Sequence, residues 1–127
     1  MGDDPQPRTI PGPATTLKFT DTTLKSVEVS DTVFLASGVD RNKGKVIGYS
    51  TVRGELDEDD DSVEFTAAIA LKGGLIYLTV TVEDGDDAAT GEVTGGTGKY
   101  EDATGTVRVR DLDDGDDDVS VRITYRT

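Results

Sequence analysis

The chain contains no histidine and no cysteine, so any chemistry falls to its carboxylates, phenols, amines and hydroxyls. A Ser-His-Asp triad, an imidazole metal site, a thiolate nucleophile and a disulfide are all excluded. Acid–base work would need a carboxylate or a phenol. The carboxylate candidate is Glu28, flanked by Val27 and Val29. In a strand its side chain points opposite to both valines. If the valines are outside, Glu28 faces an interior and burial raises its pKa. If they are inside, it is a surface acid. The surface reading is favoured, because a lone buried carboxylate is costly unless paired. The phenol candidates are Tyr49, Tyr77 and Tyr100, each a large apolar body with one polar tip. Only 6% of the residues are aromatic, so packing is the simpler use for them. Tyr77 alternates with Ile76 and Leu78, which puts it outside a barrel, where it would suit a subunit interface.

Two further patterns invite a ligand and fail on spacing. The acidic runs Asp57-Glu58-Asp59-Asp60-Asp61, Asp84-Gly85-Asp86-Asp87 and Asp111-Leu112-Asp113-Asp114-Gly115-Asp116-Asp117-Asp118 invite calcium. A calcium loop needs oxygens at its first, third and fifth places and glycine at the sixth. Gly115 at the sixth place puts Arg110 at the first and Leu112 at the third. Solvated hairpin tips are the better account. Gly95, Gly96 and Gly98 are not followed by a helix or a Gly-Lys-Ser/Thr signature, so they do not form a phosphate cradle. A net charge of -13 also repels phosphates, nucleic acid and anionic lipid.

The elements that must position these residues are strands. The 127 residues suffice for one domain with a core, and no apolar run approaches the length of a membrane-spanning helix. Residues 1–16 hold all four prolines and read as a flexible arm, with one domain over 17–127. From Leu17 the chain alternates apolar and polar residues between regular turn signals, the pattern of an all-β barrel or sandwich. Strands are expected at 17–20, 24–30, 32–39, 45–54, 62–71, 74–83, 87–94 and 104–111, with 118–126 a ninth candidate and the first two possible as one bent strand. Val63, Phe65, Ala67, Ile69 and Leu71 share one face, as do Ile76, Leu78, Val80 and Val82, and Val119, Val121, Ile123 and Tyr125. Period-two alternation means one wet and one buried face. Lys72-Gly73-Gly74, Asn42-Lys43-Gly44, Asp84-Gly85 and Asp114-Gly115 supply hairpin turns. A meander of eight strands closes to hide its edges. The expected fold is therefore an eight-stranded antiparallel up-and-down barrel, with no helix longer than two turns.

Three stretches carry a family resemblance. They are Phe34-Leu35-Ala36-Ser37-Gly38-Val39-Asp40 followed by Gly44-Lys45-Val46-Ile47-Gly48, then Glu64-Phe65-Thr66-Ala67 followed by Leu71-Lys72-Gly73-Gly74-Leu75-Ile76, then Val93-Thr94-Gly95-Gly96-Thr97-Gly98-Lys99-Tyr100 with Gly105. In this order they resemble the hairpins and the glycine-rich corner of the allene oxide cyclase and dirigent barrel superfamily. The resemblance implies a barrel whose lumen holds an apolar small molecule, in a family of plant cyclases, dirigent proteins and bacterial polyketide cyclases. It places Glu28 on the plant cyclases' early glutamate. Ser30 and Ala36 stand where those enzymes hold a water through asparagine, which argues against the allene oxide reaction and for another substrate.

The resemblance implies a small-molecule cyclase or stereochemical guide of secondary metabolism. Catalysis by holding a reactive conformer needs neither histidine nor cysteine. Glu28 and Tyr49 are the expected catalytic contacts, and Ser30, Phe34, Phe65 and Tyr100 the expected substrate contacts. No metal or cofactor is expected. The expected partner is an apolar small molecule, with no nucleic acid and no membrane, and a homodimer or homotrimer is possible. A secreted location, with the leader removed, is favoured over a cytoplasmic one. The rivals are a non-catalytic secreted binding or structural barrel and a calcium-dependent extracellular module. A lumen below about 300 Å³, the low end for small-molecule pockets, would remove the enzyme reading and leave the binding or structural barrel.

Overall fold

The computed structural model describes residues 14–83, 85–112 and 118–127. Eight strands follow in order: β1 (Thr15–Glu28), β2 (Val33–Asn42), β3 (Lys45–Asp57), β4 (Ser62–Leu71), β5 (Gly74–Glu83), β6 (Ala88–Gly96), β7 (Thr104–Asp111) and β8 (Asp118–Arg126). Each pairs antiparallel with the next, and β1 also pairs with β8, which closes the barrel. The stretch 17–20 and residues 24–28 of the stretch 24–30 are parts of one strand, β1, so 118–126 is the eighth strand and not a ninth. β1 begins at Thr15, two residues before the expected domain boundary. Among the described residues, the only helical segment is a 3₁₀ turn at Gly98–Tyr100, and no helix is long and apolar enough to cross a membrane.

β1 bends at a bulge. Its pairing with β2 passes from Thr23 opposite Gly38 to Lys25 opposite Ser37, which leaves Leu24 unpaired and largely exposed. One extra residue shifts the inward phase by one position. Before the bulge, Phe19, Asp21 and Thr23 face in. After it, Ser26 and Glu28 lie opposite Ala36 and Phe34.

The turns between paired strands follow their residues. Asn42 pairs with Lys45, so Lys43-Gly44 is a two-residue turn, with φ of 52° and 81°, the left-handed pair a type I′ hairpin needs. Leu71 pairs with Gly74, so Lys72-Gly73 makes the next two-residue connection, with the positive φ at Gly74 and not at the two central residues. The expected turn at Asp114-Gly115, and Asp84 of the one at Asp84-Gly85, lie outside the described residues.

The buried apolar side chains of β1 and of β4 to β8 form one core. Ile76, Val107 and Ile123 have no exposed surface, and Ala103 and Tyr100 are nearly as buried. Each large apolar side chain so buried stabilises the fold by roughly 1.5–3 kcal/mol. These five lie toward the end of the barrel that holds the β2–β3, β4–β5 and β6–β7 connections. Tyr100 closes that end, its ring edge-to-face with Tyr125 at 5.6 Å between centroids, and Lys99 Nζ lies 5.8 Å from its ring centre. The glycine cluster serves this closure. Gly98 adopts φ 61°, and a β-carbon there would lie 2.5 Å from the carbonyl oxygen of Gly73. The backbone N–H of Lys99 donates to that same carbonyl at 2.9 Å. Gly98→Val is therefore expected to cost roughly 1–3 kcal/mol through backbone strain. Urea unfolding checks it, and an unchanged midpoint would show that the corner is not under this constraint.

Candidate functional site

The opposite end of the barrel is not filled. A cavity of about 210 Å³ opens there, lined by Phe19, Phe34 and Phe65 with Val52, Val80, Val82, Val109, Val119 and Val121. Its polar lining is Asp21, Thr23, Ser37, Ser50 and Asp111. Phe34 and Phe65 meet edge-to-face, 5.9 Å between centroids and 75° between planes, a favoured aromatic geometry. Glycine at position 54 lets the Phe34 ring lie flat on the wall, since a β-carbon there would overlap it. At about 210 Å³ the lumen falls below the roughly 300 Å³ usual for small-molecule pockets. The enzyme-sized lumen expected from the sequence is absent, and only a compact ligand fits.

Two acids define the site, and neither was singled out from the sequence. Asp21 on β1 lies directly opposite Asp40 on β2. Asp40 has no exposed surface. Its Oδ2 accepts a hydrogen bond from Ser50 Oγ at 2.6 Å, and Ser50 is itself buried. Oδ1 of Asp40 and Oδ1 of Asp21 are both buried and have no hydrogen-bond partner. Two facing carboxylates have only acceptors to offer each other, so a proton on one of them relieves the pair. Gly38 supplies the space, since a β-carbon there would overlap Asp21 Oδ1.

Electrostatics place the proton on Asp21. Burial, then the Asp40 carboxyl alongside, then the charge of Asp118 push its pKa from 3.8 up to about 8. All these effects act in one direction, because desolvation and like charge both disfavour the ionised form. At neutral pH Asp21 is thus largely protonated, and it lines the lumen.

The barrel is polar end to end. The open end carries the β1–β2, β3–β4 and β5–β6 turns, with Glu28 and Asp31, Asp57-Glu58-Asp59-Asp60-Asp61, and Glu83, Asp86 and Asp87. Asp111 and Asp118 sit at the same end, on β7 and β8. None of these described segments contains a lysine or arginine. The closed end carries Lys43, Lys45, Lys72 and Lys99, along with the acids Glu101 and Asp102. Among the described residues, no group of three or more acidic side chains is arranged to hold a metal ion.

The residues expected at the site scatter. Phe34 and Phe65 come together in the lumen. Glu28 lies opposite Phe34 at the rim and is exposed, while Val27 and Val29 stand exposed outside. Ser30 is in the β1–β2 turn, where its Oγ accepts from the backbone N–H of Thr32 and Val33. Tyr49 is on the outer wall, 58% exposed, and Tyr77 faces out between the buried Ile76 and Leu78. Tyr100 is in the closed end. A signal for Asp21 existed: it holds the apolar phase of β1, two residues from Phe19. Asp40 sat inside a motif read only as a hairpin.

No family model matches the chain, and no curated protein matches it. Solved structures match its fold. A pyocyanin demethylase superposes with a TM-score of 0.72 at 18% identity, covering 87% of this chain and 99% of its own. The exo-specific intermolecular Diels-Alderase AbnU gives 0.71 at 12% identity, covering 91% of this chain and 100% of its own. The pterocarpan synthase dirigent protein GePTS1 gives 0.72 at 14% identity, covering 98% and 96%. The fold is thus that of the dirigent and cyclase barrels.

The Asp21–Asp40 pair makes stability depend on pH. The folded pKa of Asp21 lies above its unfolded value, so between pH 4 and 8 the folded chain holds a proton that the unfolded chain has released. Stability then falls as pH rises through that window. The melting temperature is expected to drop from pH 5 to pH 9, and Asp21→Asn to remove most of the slope. A wild-type melting temperature that is flat or rises across this range would show that Asp21 holds no such proton.

Proposed function

We propose that this barrel binds a compact, largely apolar small molecule in its lumen through Asp21 and guides its ring closure. The observation that carries the reading is a half-buried carboxyl with a shifted pKa, set beside three phenylalanines in a cavity that is mostly apolar. An apolar cleft with a few convergent polar groups and a perturbed pKa is the form small-molecule sites take. Asp21 would orient one polar end of the ligand while the walls restrict its conformers, and restriction alone can accelerate an intramolecular reaction. Barrels of the same fold include a Diels-Alderase and a dirigent protein, which makes ring formation the reaction class to test first.

The small lumen, about 210 Å³, favours a second reading, a binding barrel without catalysis. One experiment separates the two. Furfuryl allyl ether, a compact diene tethered to an alkene, closes to an oxygen-bridged adduct that is racemic in plain buffer. The protein is expected to shift the amide resonances around Phe34, Phe65 and Val80 and to yield an enantiomeric excess. Ala67→Phe, which fills the lumen, is expected to abolish both effects. Resonance shifts with racemic product at the background rate would leave the non-catalytic barrel. No shift at the lumen would overturn both readings.

A further inference from the structure

We propose that the ligand this lumen selects is an organic cation, a protonated amine or quaternary nitrogen on a compact apolar body, seated with its positive centre between Asp21 and the three phenylalanines. The inference rests on the lumen reading above and adds the charge of the ligand. Three features of the molecule converge on it.

The first is the pair itself. Asp40 is wholly buried and its Oδ1 has no hydrogen-bond partner. Asp21 and Asp111 line the cavity itself, and no lysine or arginine lines it to balance them. A cation entering the lumen supplies the missing counter-charge in a site largely shielded from water, where such attraction is strong. A neutral ligand leaves the charge unbalanced.

The second is the wall. Phe19, Phe34 and Phe65 surround the same space. Their ring faces attract a cation through the aromatic quadrupole, and aromatic enclosures are a recurrent way to hold quaternary nitrogen. An apolar ligand alone could be held by valine and leucine, which line the rest of the cavity.

The third is the approach. The turns at the open end are acidic and free of lysine and arginine in every described segment, while lysines mark the other end. A mouth of one sign concentrates ligands of the opposite sign and speeds their entry. A bare metal ion does not fit as well. Calcium needs six to eight oxygens, and among the described residues no cluster supplies a metal site, whereas an organic cation uses both the carboxyl and the rings.

The test compares phenyltrimethylammonium with tert-butylbenzene, two probes of one shape that differ in charge. Binding to the intact chain is followed by resonance shifts of the lumen amides. The cation is expected to bind at least tenfold more tightly than the neutral probe, and the double change Asp21→Asn with Asp40→Asn to remove that preference while tert-butylbenzene binding is kept. A variant with Asp57, Asp59, Asp60 and Asp61 all changed to Asn leaves the lumen intact. It is expected to slow cation entry several-fold and to weaken its dependence on salt, because surface charge steers ligands less at high ionic strength. Equal or tighter binding of tert-butylbenzene in the lumen would overturn the cation assignment and leave the lumen reading standing. Binding of neither probe would overturn both. An unchanged cation preference in the folded double variant would remove the Asp21–Asp40 pair from the site.

Discussion

Strand β1 pairs with β2 along one edge and with β8 along the other, and this double pairing turns a meander of eight strands into a closed wall. An open sheet of the same sequence would have two edges with unpaired backbone groups, and no inside. Closure defines the lumen and commits each strand's apolar phase to it. Because the strands run alternately up and down, closure also sends every second turn to the same end. The acidic turns at the open end and the lysines at the other are therefore neighbours in space only through closure.

Within that wall, the Asp21–Asp40 pair is the most demanding interaction. A buried carboxylate is costly unless its oxygens are satisfied. Ser50 satisfies one oxygen of Asp40, and the other faces β1 without a hydrogen-bond partner. Burial, with Asp40 alongside, raises the pKa of Asp21, so the arrangement burdens folding at higher pH. Gly38 and Gly54 admit the Asp21 carboxyl and the Phe34 ring at places where any other residue would collide. A fold built only for stability would fill this volume with valine, as it fills the other end with isoleucine, valine and tyrosine. Retained strain of this kind concentrates at functional sites.

The two ends thus divide the labour. Tyr100, Tyr125, Ile76 and Ile123 close one end and supply burial without polar demands. The other end stays open at a size suited to a compact ligand. The match in fold to a demethylase, a Diels-Alderase and a dirigent protein, at 18% identity or less, fits a scaffold whose chemistry is set by what lines the lumen.

Much of this architecture was legible in the residues. The period-two alternation of Val63 to Leu71 and of Ile76 to Val82, the glycine turns at 43–44 and 72–73, and the glycine corner before Tyr100 are local signals. Local signals determine strands, turns and the faces they bury. The outward position of Tyr77 followed from the same alternation, as did the inward position of Phe65. Absence of histidine and cysteine confined the chemistry to carboxylates and phenols. What the sequence did not disclose is which carboxylates. Asp21 and Asp40 are 19 positions apart, and only the register of β1 against β2 makes them neighbours. The bulge at Leu24 sets that register and shifts the inward phase past it, so Glu28 reaches the rim. Volume was equally hidden, since the size of a lumen depends on how eight inner faces interdigitate. Register, closure and packing are properties of pairs of distant residues, and no single stretch of chain contains them.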